Sequence, residues 1–342
     1  MRRRFREAAA AFDAAKPVWV LGHNDADGLS ATAILARALQ RAGRKVRTRV
    51  VGRGESPWSS AMREELAGKD MGGLVIADLG VRATSPRPET PLVVLDHHVP
   101  QDSPPGAVVI SGDAMTPSPT TSLLAYWSAQ GLGPADDLLW LAALGLIGDM
   151  AEGEGFAEMD QARRYGVTAL RKATSLVNAP RRTASGDASA ALRLLMREDG
   201  PKPLVAGETP DAAALQAAKA EVKAEGDAAK RIAPVVSNGV ALIAFASPCQ
   251  IHPLVAQQWR GRLKNEIVMA ANHGYRPGWT HFAVRTARDL DLVAFLAKHR
   301  PPGAGDEYGS GHRQATGGAL RAPDWNRFIR SLGFGPEQEV PE

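Results

Sequence analysis

In the first half of the chain, short apolar runs alternate with stretches whose apolar residues recur at helical spacing, and several of the short runs end in acid or histidine. Val18-Trp19-Val20-Leu21-Gly22 leads into His23-Asn24-Asp25-Ala26-Asp27-Gly28, and a helical pattern starts at Leu29 and continues to a C-cap at Gly43. Buried strand, tight turn and helix in this order put ligand-type side chains at the carboxyl end of a strand, where open α/β sheets build their sites. Leu74-Val75-Ile76-Ala77 leads to Asp78, and Leu92-Val93-Val94-Leu95 leads to Asp96-His97-His98. Val46–Val51 alternates basic and apolar residues, as a strand with one exposed face does. Residues 5–15 read as an amphipathic helix, and a charged helix ends near Leu66. A short strand at Val108, a Pro/Ser/Thr loop over Thr116–Ser122 and a helix through Tyr126 and Trp127 follow. The uncharged run Leu138–Gly148 is too short to span a bilayer and reads as a core helix that delivers Asp149. Strands alternating with helices predict a parallel sheet covered on both faces.

Beyond this the texture changes. Residues 156–232 are rich in Ala, Arg, Lys and Glu, with Gly200-Pro201 and Pro203 breaking the run and Asp211–Arg231 reading as one long helix. A second α/β pattern begins near Val235, with strands at Val240–Phe245, Ile267–Ala271 and His281–Arg285, and closes on the glycine-rich stretch Gly309–Gly318. The expected class is α/β. An N-terminal parallel-sheet domain (1–195) is joined by a helical connector (196–234) to a smaller α/β C-terminal domain (235–342), with the active site in the cleft between them and a hinge near 200–235.

Composition narrows the classes. With 342 residues the chain can bury two medium cores, and 44% hydrophobic and 23% charged residues fit a soluble globular protein. The formal charge of +4 and a pI near 9.3 are compatible with a phosphate-rich partner. Cys249 is the only cysteine, which excludes an intrachain disulfide and a thiolate cluster. Met1-Arg2-Arg3-Arg4 resembles the start of a signal peptide, but an Ala-rich stretch with Asp13 and Lys16 follows instead of an apolar core. A cytoplasmic protein without membrane contact is expected.

His23, Asp25, Asp27, Asp78, Asp96, His97, His98 and Asp149 are all hard oxygen or imidazole donors. Crowded together they repel unless positive charge lies between them, and a pair of divalent ions roughly 3.5–4 Å apart meets that need and supports in-line phosphoryl displacement. Mixed carboxylate and imidazole donors favour Mn²⁺ or Mg²⁺ over structural zinc, and the imidazoles tilt the choice to Mn²⁺. Taken singly, Asp78 or Asp149 is better read as a helix cap, and His97-His98 as an ordinary loop. Alternating H-x-D-x-D and the triplet D-H-H, both at strand ends of one domain, make chance a poor explanation. Trp127 and Trp140 fall at helical positions and read as core, whereas Trp58 and Trp279, in loop-like surroundings, have the better claim to base stacking. His252, His273, His281 and His299 have no partner at motif spacing and read as structural.

His23-Asn24-Asp25-Ala26-Asp27-Gly28, Asp78, Asp96-His97-His98 and Gly148-Asp149 together resemble the four motifs of the DHH phosphoesterase superfamily. Gly309-Ser310-Gly311-His312 with Ala315-Thr316-Gly317 resembles the signature of the DHH-associated C-terminal domain, so the likeness covers nearly the whole chain. The resemblance implies that His23 and Asp25 hold a first metal, Asp78 bridges, and Asp27, His97 and Asp149 complete a second. Asp96 would orient a neighbouring histidine, and His98 would lie against the scissile phosphate. Gly309, Ser310, Gly311 and His312 would bring N–H groups and an imidazole to a substrate phosphate, with Arg285 as a bidentate partner. Two positions depart from the pattern: Ser310 stands where a third glycine is usual, and Ala283 where a serine often precedes the arginine.

The H-x-D-x-D-G spacing resembles the RecJ-type branch, which implies an exonuclease that cleaves single-stranded DNA or RNA, or short oligonucleotides, from the 5′ end. Two further readings stay open. One is hydrolysis of small nucleotides such as cyclic dinucleotides or 3′-phosphoadenosine 5′-phosphate. The other is a non-catalytic nucleic-acid-binding replication scaffold, which would be expected to have lost motif acids that are all present here.

Overall fold

The structure is a computed structural model. It describes residues 1–305 and 308–341, of Ser310 only the backbone. The chain divides into two compact units: Met1–Arg181 with Ser185–Lys219, and Arg182–Ala184 with Ala220–Glu342. Residues 196–234 form no third unit, because the division falls inside the helix Pro210–Ala229. Ala212 and Leu215 of that helix pack in the first unit's core, whereas Val222 and Ala229 pack in the second's.

The first unit is built on five parallel strands: β1 (Val18–His23), β2 (Val46–Val51), β3 (Gly73–Ala77), β4 (Leu92–Asp96) and β5 (Val108–Ser111). They lie in the order β2-β1-β3-β4-β5. The central strands β3 and β4 are buried at every residue, which explains their unbroken apolar sequence. Edge strand β2 does not alternate in burial as its sequence does: Arg47 is exposed, but Arg49 is half-buried and held by Glu55 and Glu65. The helices Ala26–Arg41, Thr121–Ala129 and Leu139–Gly148 cover one face, while Met62 and Leu66 of Ser60–Ala67 cover the other. The first helix is shorter than its amphipathic pattern and spans Arg2–Ala10. Asp13 ends that pattern by accepting the Ala15 N–H and donating its own to Gly72.

The second unit carries a six-stranded mixed sheet in the order β10-β11-β9-β8-β7-β6. Its strands are β6 (Val235–Ser237), β7 (Val240–Phe245), β8 (Ile267–Arg276), β9 (Trp279–Thr286), β10 (Ser310–His312) and β11 (Ala315–Arg321). Only β7 and β8 run parallel. Helices Leu292–Lys298 and Ala322–Ser331 pack Leu296, Trp325 and Phe328 on one face, and His252–Arg262 covers the other. Among the described residues no helix is long and apolar enough to cross a membrane.

Trp140 is fully buried in the first core, so Trp140→Ala is expected to cost about 3–5 kcal/mol. Urea unfolding of the variant should show this as a lower midpoint for the first unit.

Candidate metal centre

In a sheet of order 2-1-3-4-5 the direction of winding reverses between β1 and β3, and a crevice opens beyond their carboxyl ends. His23 ends β1, Asp78 follows β3, and Asp96-His97-His98 follows β4, so three of the four motif segments meet there. The fourth, Asp149, caps the C-terminus of Leu139–Gly148. These groups line a cavity of about 520 Å³ that also touches Glu55, Arg82 and Gln101.

Each acid is fixed by its own local device. Asp25 is the N-cap of Ala26–Arg41, and its Oδ1 accepts from the Gly28 N–H at 3.0 Å. Asp27, fully buried two residues later, accepts from the Thr121 and Ser122 N–H groups at 2.8 and 2.9 Å. These are the first donors of Thr121–Ala129, so the positive end of a helix faces this carboxylate. Asp78 sits in left-handed backbone, φ 63°, a strained place for a residue with a Cβ. Its Oδ1 accepts from the Thr121 hydroxyl at 3.1 Å. Asp96 Oδ1 accepts from both the N–H and the Nδ1 of His98, at 2.8 and 3.0 Å, and its Oδ2 from the Gly80 N–H. The histidine that Asp96 orients is therefore His98, whose side chain is 60% exposed.

The remaining donor atoms fall into two triads. His23, Asp25 and Asp78 form one and Asp27, His97 and Asp149 the other, each with its donor atoms within 4.8 Å of one another. Asp78 joins them: its Oδ2 lies 3.5 Å from His23 Nδ1, and its Oδ1 lies 3.5 Å from His97 Nε2. Each oxygen of this carboxylate thus faces a histidine of a different triad. His98 is within reach of Asp78 as well, at 4.0 Å, but that nitrogen already serves Asp96.

The electrostatics fit a missing positive charge. Burial, with Asp27 and Asp25 nearby, pushes the Asp78 carboxyl well up, and burial also raises Asp27. Burial and the neighbouring carboxylates push Asp149 up to about 9. His23 would be lowered by burial, but its contacts with Asp25 and Asp78 raise it to about 10. Burial holds His97 below its usual value. Oxygen and imidazole donors without sulfur, in two triads sharing one carboxylate, suit a pair of Mn²⁺ or Mg²⁺ ions.

Several supporting residues carry no signal in a one-dimensional pattern. Asn178 Oδ1 accepts the Ala26 N–H at 2.9 Å, across 152 residues of sequence. Arg181 Nη1 lies 3.7 Å from Asp25 Oδ2. Gly145 is required because a Cβ there would sit 1.9 Å from the Ser122 hydroxyl and 2.2 Å from Asp27 Oδ1. Thr121 and Ser122 lie where the sequence shows only a polar loop running into a helix. Trp58 is a correction: its Nε1 donates to the Leu79 carbonyl and its ring packs beside Met62 and Leu66, so it is no stacking platform.

The other residues singled out lie in the second unit. Arg285, on β9, is opposite Ala315 of β11, and Ala315 is opposite His312 of β10, so the two residues flank one alanine. Arg285 donates to the Val284 and Thr316 carbonyls and lines a cavity of about 350 Å³ with His252, His281 and Gly317. His252 is buried there, its ring 6.0 Å from that of His281, and burial drops it to about 3. Gly309 and Gly311 take φ of 79° and 137°, and the Gly309 N–H is spent on the Gly317 carbonyl at 2.9 Å. The Ser310 side chain lies outside the described atoms.

No family model matches the chain. Among solved structures, exonuclease RecJ bound to manganese has a TM-score of 0.67 at 22% identity, covering 98% of this chain and 95% of that one. The DHH domain of a member of the s1p family of ribosomal proteins has a TM-score of 0.61 at 15% identity, over 97% and 88%. These likenesses show a fold shared with those structures. In sequence, the single-stranded-DNA-specific exonuclease RecJ of Thermus thermophilus is 31% identical over 237 residues, which make up 57% of this chain and 35% of that protein. The chain thus spans about a third of the length of the curated relative it matches. The chain is similar to RecJ in sequence over 57% of its length and shares the fold of the RecJ and DHH-domain structures.

The raised groups dictate how stability depends on pH. Between their unfolded values, near 4 for Asp and 6.5 for His, and their folded ones, Asp149 and His23 bind more protons folded than unfolded. Metal-free protein should therefore lose stability as pH rises from 7 to 9, and millimolar Mg²⁺ should offset that loss by displacing the same protons. Thermal unfolding in EDTA and in Mg²⁺ at both values checks this; a midpoint in EDTA that does not fall contradicts it.

Proposed function

We propose that the protein is a metal-dependent phosphodiesterase that releases nucleotides from the 5′ end of single-stranded DNA. The observation that carries this reading is the placement of Asp78 between two donor triads. Two divalent cations held there, Mn²⁺ or Mg²⁺, would make a water acidic at neutral pH and offset the charge on the phosphate.

His23, Asp25 and Asp78 would hold one ion and Asp27, His97 and Asp149 another, with Asp78 placed within reach of both triads. Asp96 fixes the His98 ring by taking its Nδ1–H, so the ring's other nitrogen is left for a phosphate oxygen at the cavity mouth. The N–H groups of Thr121 and Ser122 fix the orientation of the Asp27 carboxylate. In the second unit, Arg285 and the Gly309–His312 strand bind a substrate phosphate, and Arg285 supplies the charge-assisted contacts. A cluster in which the carboxylates of Asp25, Asp27, Asp78 and Asp96 are each held by a hydrogen bond supports catalysis over a binding-only role. The name of the curated relative, a single-stranded-DNA-specific exonuclease, supports the substrate class.

The purified protein with Mn²⁺ should release mononucleotides from a 5′-labelled single strand, and EDTA should stop it. Asp78→Asn should lower the rate by on the order of 10²-fold or more, and Asp96→Asn by about 10–100-fold. Undiminished release by Asp78→Asn, or none by the wild type on DNA or RNA strands, would reject the reading.

A further inference from the structure

At the hairpin that joins β8 to β9, three side chains from neighbouring strands meet. Arg276 of β8 and Arg321 of β11 are both in register with Trp279 of β9. Their guanidinium carbons lie 4.5 and 4.8 Å from the centre of the Trp279 ring. Both arginines are exposed, and the tryptophan is half-buried. Two other exposed arginines of this unit, Arg313 and Arg330, are held by Asp289 and Glu339. Among the described residues neither Arg276 nor Arg321 has a carboxylate partner. A guanidinium stacked on an indole uses its face and leaves its N–H edge free, already oriented for a phosphate.

The position of this stack names its partner. Residues alternate along a strand, so Trp279, His281, Ala283 and Arg285 share one face of β9. The β11 residues opposite Ala283 and His281 are the small Gly317 and Ala319, and the cavity lined by Arg285, Ala283, His281 and Gly317 runs along that face, bounded by His252 and Pro253 of the covering helix. From Arg285 to Trp279 is six residues of strand, about 20 Å. At the roughly 3.4 Å rise of a stacked strand this is about six nucleotides, and fewer if the strand is stretched.

We propose that the Arg276–Trp279–Arg321 stack is a second nucleic-acid contact, which grips backbone phosphates of a single strand whose leading phosphate sits at Arg285. This rests on the nucleic-acid reading above and adds to it a preference for length. Strands too short to reach the stack bind through the Arg285 end alone, and longer ones gain two more phosphate contacts.

The test uses the full chain in Ca²⁺ and fluorescence anisotropy of labelled 5′-phosphorylated oligothymidylates of 2, 4, 8 and 12 nucleotides at several salt concentrations. Wild-type affinity should step up between 4 and 8 nucleotides. In R276Q/R321Q, which keeps both side-chain stems, that step should vanish. The salt slope for the 12-mer should fall by about 1.4, the value for two single-strand phosphate contacts. A separate W279A variant should lose the same step by freeing both arginines. An unchanged step and slope in R276Q/R321Q would overturn the stack while leaving the shorter strands bound and the broader reading intact. A wild type that binds no strand of any length would overturn both. Loss of binding to phosphatidylserine vesicles in R276Q/R321Q, with the 12-mer unaffected, would assign the stack to a membrane surface instead and overturn the proposal.

Discussion

Crowded negative charge governs the first unit. Asp25, Asp78 and Asp149 line one cavity with Asp27 buried beside it, and burial pushes Asp27, Asp78 and Asp149 towards the protonated form. The fold resists by supplying donors individually: a helix N-terminus to Asp27, a capping N–H to Asp25, a hydroxyl to Asp78. None of these neutralises the charge; they only fix where it points. The result is a site whose geometry exists before any cation arrives and whose protonation opposes the cation until it does. The left-handed backbone of Asp78 belongs to the same account, since it is what turns that carboxylate toward both histidines.

The second unit gathers the opposite charge. Arg285 and the Arg276–Arg321 pair lie on three neighbouring strands of one sheet. Antiparallel register makes this possible with short sequence separations, because β9 and β11 repeat their faces every second residue over their whole length. The first sheet cannot work this way. Its strands are parallel and contribute only their carboxyl ends, so its site draws on segments far apart in sequence.

That difference also explains what could be read from the chain. The parallel sheet, its apolar central strands and the ligand residues His23, Asp25, Asp27, Asp78, His97 and Asp149 were legible because the loops that carry them follow directly on apolar runs. The strands at 240–245 and 267–271 were legible for the same reason. Asn178, Arg181, Thr121, Ser122 and Gly145 were not, since each acts on a partner brought close only by tertiary folding. Trp58 misled because a loop-like neighbourhood in sequence says nothing about the carbonyl of Leu79, 21 residues away, that takes its N–H. His252 looked ordinary for want of a neighbour in sequence, yet its ring packs beside His281 and Tyr275.

The helix Pro210–Ala229 has roots in two hydrophobic interiors, Ala212 and Leu215 in one, Val222 and Ala229 in the other. Severing the polypeptide at Lys219 would leave each fragment a stub of ten residues, below the roughly 12–15 at which a solitary helix holds itself together in water. The tripeptide Arg182–Ala184 adds a second obstacle, because it is anchored by Gln250 and Glu221 although the residues on either side of it belong to the other body. The two halves are therefore sewn together by the covalent path of the backbone itself, and a gene encoding either one alone would have to rebuild what the other had been holding.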